Sequence, residues 1–163
     1  MFDIILFMPQ IPPNTGNIIR LCANTGARLH LIKPLGFSLD EKSCRRAGLD
    51  YHEMALVQQY DSLDACLDAM EVTINSSRLF AITKFGTRIV HDTALAIGDI
   101  FLFGAETTGL PDSIHSALSD NQKLSLPMLP DNRSLNLSNA VSITLYEAWR
   151  QNGFQTRETQ ERP

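Results

Sequence analysis

Three stretches of this chain gather side chains and glycines suited to gripping a small polar ligand. The first is PPNTGNIIR, residues 12–20, where Asn14, Gly16 and Asn17 precede Arg20. The second is FGAETTGLP, residues 103–111, in which Gly104 and Gly109 bracket Glu106, Thr107 and Thr108. The third, residues 126–150, reads LPMLPDNRSLNLSNAVSITLYEAWR. Around its expected helix start, Asn132, Arg133, Ser134, Asn136, Ser138, Asn139 and Ser142 all carry hydrogen-bonding side chains. Glycines at both ends of a bend let the backbone approach a ligand closely. A helix start adds unpaired N–H groups. Each stretch alone also has a plain structural reading: a capped helix with a surface arginine, a strand-to-helix turn, and an amphipathic helix with a long cap.

Other chemistries find little support. His30, His52, His91 and His115 are scattered without metal-ligand spacing, and Cys22 has no evident His partner. Ser134 and Ser138 do not sit in a G-x-S-x-G elbow. The phosphate loop G-x-x-x-x-G-K-[ST] and the dinucleotide pattern G-x-G-x-x-G are both missing.

The elements that must position these stretches follow from local pattern. Residues 2–7 are an apolar run with Asp3 as its only charge, ended by Pro9, Pro12 and Pro13. Further strands are predicted at 28–33, 54–57, 79–83, 99–104 and 123–126. A helix over 18–25 places Ile18, Leu21, Cys22 and Thr25 on one face and Arg20 off it, with Asn14 and Asn17 as caps, Gly16 free to take positive φ, and Gly26 closing the helix. Other helices are predicted over 41–47 (capped by Asp40), from Asp61 to about Met70, from Pro111 to about Leu118, and over 137–151. Short apolar strands alternating with helices predict an α/β fold with a parallel sheet covered on both faces. In such sheets ligands bind beyond the carboxyl ends of strands. That rule selects residues 9–17, 83–86, 104–109 and 126–136. Residues 1–155 read as one domain, followed by a polar tail at 156–163. The last helix carries Val141, Leu145 and Ala148 on one line, with Ile143 and Tyr146 on another. Two apolar sides call for two burial partners, the core and a second subunit.

The 163 residues carry a net charge of −4, so any nucleic-acid site must be a local basic patch. Arg45, Arg46, Lys84, Arg88 and Arg133 are its candidates. Cys22, Cys44 and Cys66 share no flanking pattern, so their even spacing marks no repeat, and an odd count without a C-x-x-C pair argues for plain thiols in a reducing compartment and against a disulfide framework or zinc. No apolar run approaches the ~18 residues of a membrane span. MFDIILF lacks the basic segment of a signal peptide, and a cytoplasmic protein is expected.

In their order and spacing, N-T-G-N-I-I-R, F-G-A-E-T-T-G-L-P and L-P-M…S-L-N-L-S-N-A-V-S…Y-E-A-W-R resemble the SPOUT class of S-adenosylmethionine-dependent RNA methyltransferases. Within that class the chain is similar to the small single-domain tRNA ribose 2′-O-methyltransferases of the wobble nucleotide. The resemblance runs from Asp3 to Gly153 and includes LCANTGARLHLI and RRAGLDYHE. It implies a C-terminal trefoil knot over roughly 82–150, which the rarity of knots would have excluded. It implies S-adenosylmethionine, leaving as S-adenosylhomocysteine, held by three loops: Ile82, Thr83 and Lys84; Gly104, Glu106 and Gly109; Leu126, Met128, Ser134 and Asn136. It implies methyl transfer to the ribose 2′-hydroxyl of tRNA nucleotide 34, in leucine tRNAs. Arg20 would orient that hydroxyl and handle its proton, supported by Asn14, Glu106, Ser134 and Asn136. It also implies a homodimer paired through the N- and C-terminal helices. Another RNA substrate, or a non-catalytic knotted RNA-binding module, are the alternatives. The second motif departs from the wobble enzymes' G-P-E-T-R-G at Ala105 and Thr108, which removes one charged contact.

Overall fold

Alternation along the strands decides the sheet. Ile4 and Leu6 pack on one face and Ile5 on the other, and Phe101 and Phe103 oppose Ile100 and Leu102 in the same way. The computed structural model describes residues 1–39, 57–130, 132 and 134–155. Among these, seven strands form one all-parallel sheet: β1 (Asp3–Phe7), β2 (Arg28–Ile32), β3 (Val57–Tyr60), β4 (Leu79–Ile82), β5 (Arg88–Ile89), β6 (Ile100–Phe103) and β7 (Lys123–Ser125). Their spatial order is β3-β2-β1-β6-β4-β7-β5. Helices α1 (Pro12–Thr25) and α4 (Leu137–Gln151) cover one face, through Ile18, Ile19, Cys22, Val141, Leu145 and Ala148. Helix α2 (Leu63–Ala69) covers the other with Leu63, Cys66 and Leu67, joined by Leu110 and Leu118 around α3 (Asp112–Ala117). The predicted doubly covered parallel sheet is therefore the observed fold.

Several boundaries differ from expectation. Helix α1 begins at Pro12, six residues early, because the two prolines occupy its first turn, where a missing N–H is harmless. Its N-cap is Ile11, not Asn14 or Asn17, and Gly16 lies inside the helix without positive φ. Helix α2 is capped by Ser62, whose side chain accepts from the Ala65 N–H, not by Asp61. The third strand is Val57–Tyr60 rather than 54–57, an edge strand with two exposed glutamines. Strand β5 escapes any periodicity argument, since it has two residues. The predicted helix over 41–47 with Arg45 and Arg46, residues 54–56, Cys44, His52, Arg133 and the tail lie outside the described residues.

One connection matters for the site. β7 lies between β4 and β5, yet β4 and β5 are joined by only residues 83–87. Ile82 and Arg88 both flank Leu124, so this short strap must cross β7. It crosses in contact: a Cβ on Gly86 would overlap the backbone of Leu124 and Ser125. The Thr83 N–H donates to the Leu124 carbonyl at 2.8 Å. At the far end of the sheet, buried Asp3 accepts from Arg28 at 2.7 Å and meets His30 at 2.8 Å. Burial alone would raise the Asp3 carboxyl, but His30 and Arg28 hold it below its ordinary value. No helix among the described residues is long and apolar enough to cross a membrane.

Candidate active site

The carboxyl ends of β4, β6 and β7 open into a cavity of about 400 Å³. Three loops and two helix starts line it. The 83–87 strap contributes Thr83, Lys84 and Phe85, next to Ile82 at the end of β4. The loop after β6 contributes Gly104 to Leu110, and the chain after β7 contributes Leu126, Met128, Ser134, Leu135 and Asn136. Ile11 and Asn14 reach in from α1.

The loop after β6 is shaped by its own backbone. Ala105 and Gly109 exchange N–H···O bonds of 3.2 and 2.9 Å, and Gly109 has φ +70°. A Cβ on Gly104 would overlap Gly109 and Leu110, so only glycine lets this loop close. Ala105 is buried in that closure and Thr108 is exposed at the tip.

Glu106 ties the loop to α1. Its Oε2 accepts from the Gln10 N–H at 2.8 Å; its Oε1 accepts from the Ile11 N–H and from Asn14 Nδ2, both at 3.1 Å. Burial pushes the carboxyl up, but these donors outweigh it and hold Glu106 below its ordinary value. A carboxylate only accepts, so Asn14 must turn Nδ2 toward Glu106 and Oδ1 away. That Oδ1 accepts from Asn136 Nδ2 at 2.9 Å. Asn136 Oδ1 then faces the start of α4, accepting from the Ser138 N–H at 2.9 Å and the Ser138 hydroxyl at 2.7 Å. The carboxylate thus sets the direction of every hydrogen bond from the β6 loop to α4. The N-cap of α1 lacks a side-chain bond of its own, and Glu106, 95 residues away in sequence but on the neighbouring strand's loop, supplies acceptors there.

Ile82, Thr83, Gly104, Glu106, Gly109, Leu126, Met128, Ser134, Asn136 and Asn14, each singled out by sequence, all border this one cavity. Arg20 does not line it. It is exposed on α1, about a third of a turn around the helix from Asn14. His115 and Phe85 line the cavity without having been singled out as site residues, and Leu110, Leu135 and Ala140 complete its apolar wall. Among the described residues no cluster of three His, Cys, Asp or Glu could hold a metal.

A glycine-closed loop, a strap and a helix start meeting beyond parallel strands is a ligand site of known kind. The model of the SpoU rRNA methylase family matches residues 1–146. The chain belongs to this family. Among its relatives, the tRNA (cytidine(34)-2′-O)-methyltransferase of Acidovorax sp. (strain JS42) is 55% identical over 163 residues, covering 100% of this chain and 99% of the relative. A structure described as giving insight into 2′-OH methylation of C/U34 on tRNA superposes with a TM-score of 0.82 at 38% identity, covering 95% of this chain and 98% of that one. A SpoU methyltransferase from Streptomyces viridochromogenes, in complex with the cofactor AdoMet, superposes with a TM-score of 0.76 at 26% identity, covering 94% of this chain and 61% of that one. Membership in the SpoU family makes the chain a methyltransferase and places its three motifs in a shared fold.

Proposed function

We propose that this chain transfers the methyl group of S-adenosylmethionine to the ribose 2′-hydroxyl of nucleotide 34 of tRNA, in leucine tRNAs, as a homodimer. The observation that supports the reaction and its position is 55% identity along the whole chain to a relative named for 2′-O-methylation of cytidine 34 in tRNA. The cavity suits the cofactor. Its volume of about 400 Å³ falls in the range of small-molecule sites, roughly 300–1,000 Å³. Its glycine backbone at Gly104 and Gly109 favours recognition by main-chain groups. Bound there, the cofactor supplies a methyl group on a sulfonium, already a good leaving group. The protein must then orient the hydroxyl and dispose of its proton.

Ile82, Thr83, Gly104, Gly109, Leu126 and Met128 form the walls that hold the cofactor, and Ser134 and Asn136 face it beside the ribose. Glu106 is not the base: its oxygens are occupied by three N–H donors, so it positions Asn14 and α1. Arg20 is not the base either, because a guanidinium stays protonated. Arg20 orients the acceptor, a substrate phosphate or a water. Its place outside its own cavity suits delivery into the cavity of a second copy. The exposed Ile143 and Tyr146 on α4, which packs beside α1, suit the same pairing. Passage of the segment after β7 beneath the 83–87 strap, as a knot requires, belongs to this reading, as does a single working domain over 1–155.

Incubation with labelled S-adenosylmethionine and unmodified tRNA, followed by mass-spectrometric mapping, tests it. Label at nucleotide 34 is expected. Label only in another RNA would replace the substrate, and cofactor binding without any transfer would leave a binding module. Arg20→Ala should lower turnover about 100-fold or more while cofactor affinity by calorimetry stays nearly intact.

A further inference from the structure

We propose that Phe85 is a stacking platform for a nucleobase next to the reacting nucleotide, with Lys84 receiving the adjoining phosphate. The inference rests on the RNA-methylating reading above. Phe85 is 61% exposed, the most exposed Phe, Tyr or Trp ring among the described residues, although it borders the cavity. An apolar ring left in water at the edge of a ligand site stands to gain from being covered.

The ring is not loose. The strap that carries it is pinned by Thr83 to Leu124, and the Gly86 N–H donates to the Thr83 carbonyl at 3.2 Å. The Phe85 N–H donates to Thr83 Oγ1 at 3.3 Å. Gly86 lies against the backbone of β7 with no space for a side chain. His115 meets Phe85 in a T-shaped contact, 5.3 Å between centroids at 89°. The ring is therefore presented ready-made by a short turn and a neighbouring side chain, at little further ordering cost. Lys84 Nζ stands over one face of the ring, 5.0 Å from its centroid, in a chain whose net charge is −4, so a base takes the other face with a cation close behind it.

The chemistry of the occupant follows from the reaction. A ribose hydroxyl reaches the cavity only if its nucleotide leaves the stack, and that leaves the neighbouring base with an uncovered face. Aromatic side chains take such faces without regard to base identity, while lysine tracks the backbone. The cofactor is the weaker candidate, because most of the ring's surface lies in solvent.

The experiment compares wild type, Phe85→Leu, Phe85→Trp and Lys84→Gln in methyl transfer to tRNA, with S-adenosylmethionine affinity measured by calorimetry. Phe85→Leu should raise KM for tRNA about tenfold and leave cofactor affinity within about twofold of wild type. Phe85→Trp should keep a near-native KM and gain a fluorescence that tRNA quenches, read against the single native Trp149. Lys84→Gln should reduce the salt dependence of tRNA binding by about one unit of slope. An unchanged KM in Phe85→Leu overturns the inference, as does a loss of cofactor affinity that matches the rise in KM. If wild type transfers no methyl to tRNA, the parent reading fails; if wild type transfers and Phe85→Leu matches it, only the stacking role fails.

Discussion

At the scale of the residue, Glu106 shows how one charge can fix a whole hydrogen-bond chain. Two of its donors are backbone N–H groups at the start of α1, where the prolines leave no others nearby. Glu106→Gln would introduce an N–H₂ where three donors already converge. One donor must then lose its partner, or Asn14 must flip and reverse its bond to Asn136. We expect Glu106→Gln to lower stability by about 1 kcal/mol or more in urea unfolding. Cofactor affinity should fall with it, since Asn136 and the β6 loop lose their common anchor. A base role makes the opposite forecast, intact stability with lost turnover. Sequence pointed to Asn14, Glu106 and Asn136, but not to their connection. Partners 92 and 122 residues apart leave no local periodicity to read.

At the scale of the element, the strap and α1 make a paired test of two glycines. A Cβ on Gly86 meets the backbone of β7, which cannot give way without breaking the β4–β7–β5 ladder. Gly86→Ala should destabilise by about 1–3 kcal/mol and weaken cofactor binding, because Thr83 and Lys84 move with it. Gly16 sits inside α1 with nothing within 4 Å of a built Cβ. Gly16→Ala should stabilise by about 0.5–1 kcal/mol in the same urea titration. Sequence pattern selected the strap as a ligand loop but misplaced the start of α1 and missed β5, for physical reasons. The prolines of α1 look like a strand terminator unless their place in the first helical turn is known. The strap and β5 are too short for any period, and their order is set by pairing with a strand 36 residues later. The long apolar strands were legible because burial on both faces writes itself into composition.

At the scale of the whole molecule, the two ends of α4 do different work. Its start belongs to the cavity; its end is clamped to residues 93–95. Gln151 accepts from the Leu95 N–H at 2.9 Å and donates to the Thr93 carbonyl at 3.1 Å, and Asn152 donates to the Leu95 carbonyl at 3.0 Å. Glu147 anchors the clamp. Hydrogen bonds from Arg150, then from Gln151, pull its carboxyl down to about 2 from an ordinary 4.5. A carboxylate depressed by folding stabilises the fold above its unfolded value and loses that effect as pH falls toward its folded value. The stability gap between wild type and Glu147→Gln should therefore be full at neutral pH and close as pH falls from 4.5 toward about 2, read as urea midpoints across that range. Asp3 acts in the same direction, while Asp99, raised by burial, acts in the other. The variant comparison isolates Glu147 from both.

Among the described strands β5 has no ladder partner except β7, and β7 comes last in sequence. A polypeptide growing from its N-terminus cannot complete the strap's anchorage until residues 123–125 have arrived. The cavity is completed later still, because its wall also needs residues from Leu126 to Ala140, and an immature chain lacking them has no closed place to hold a ligand. Competence to bind becomes a report that synthesis has reached the start of α4.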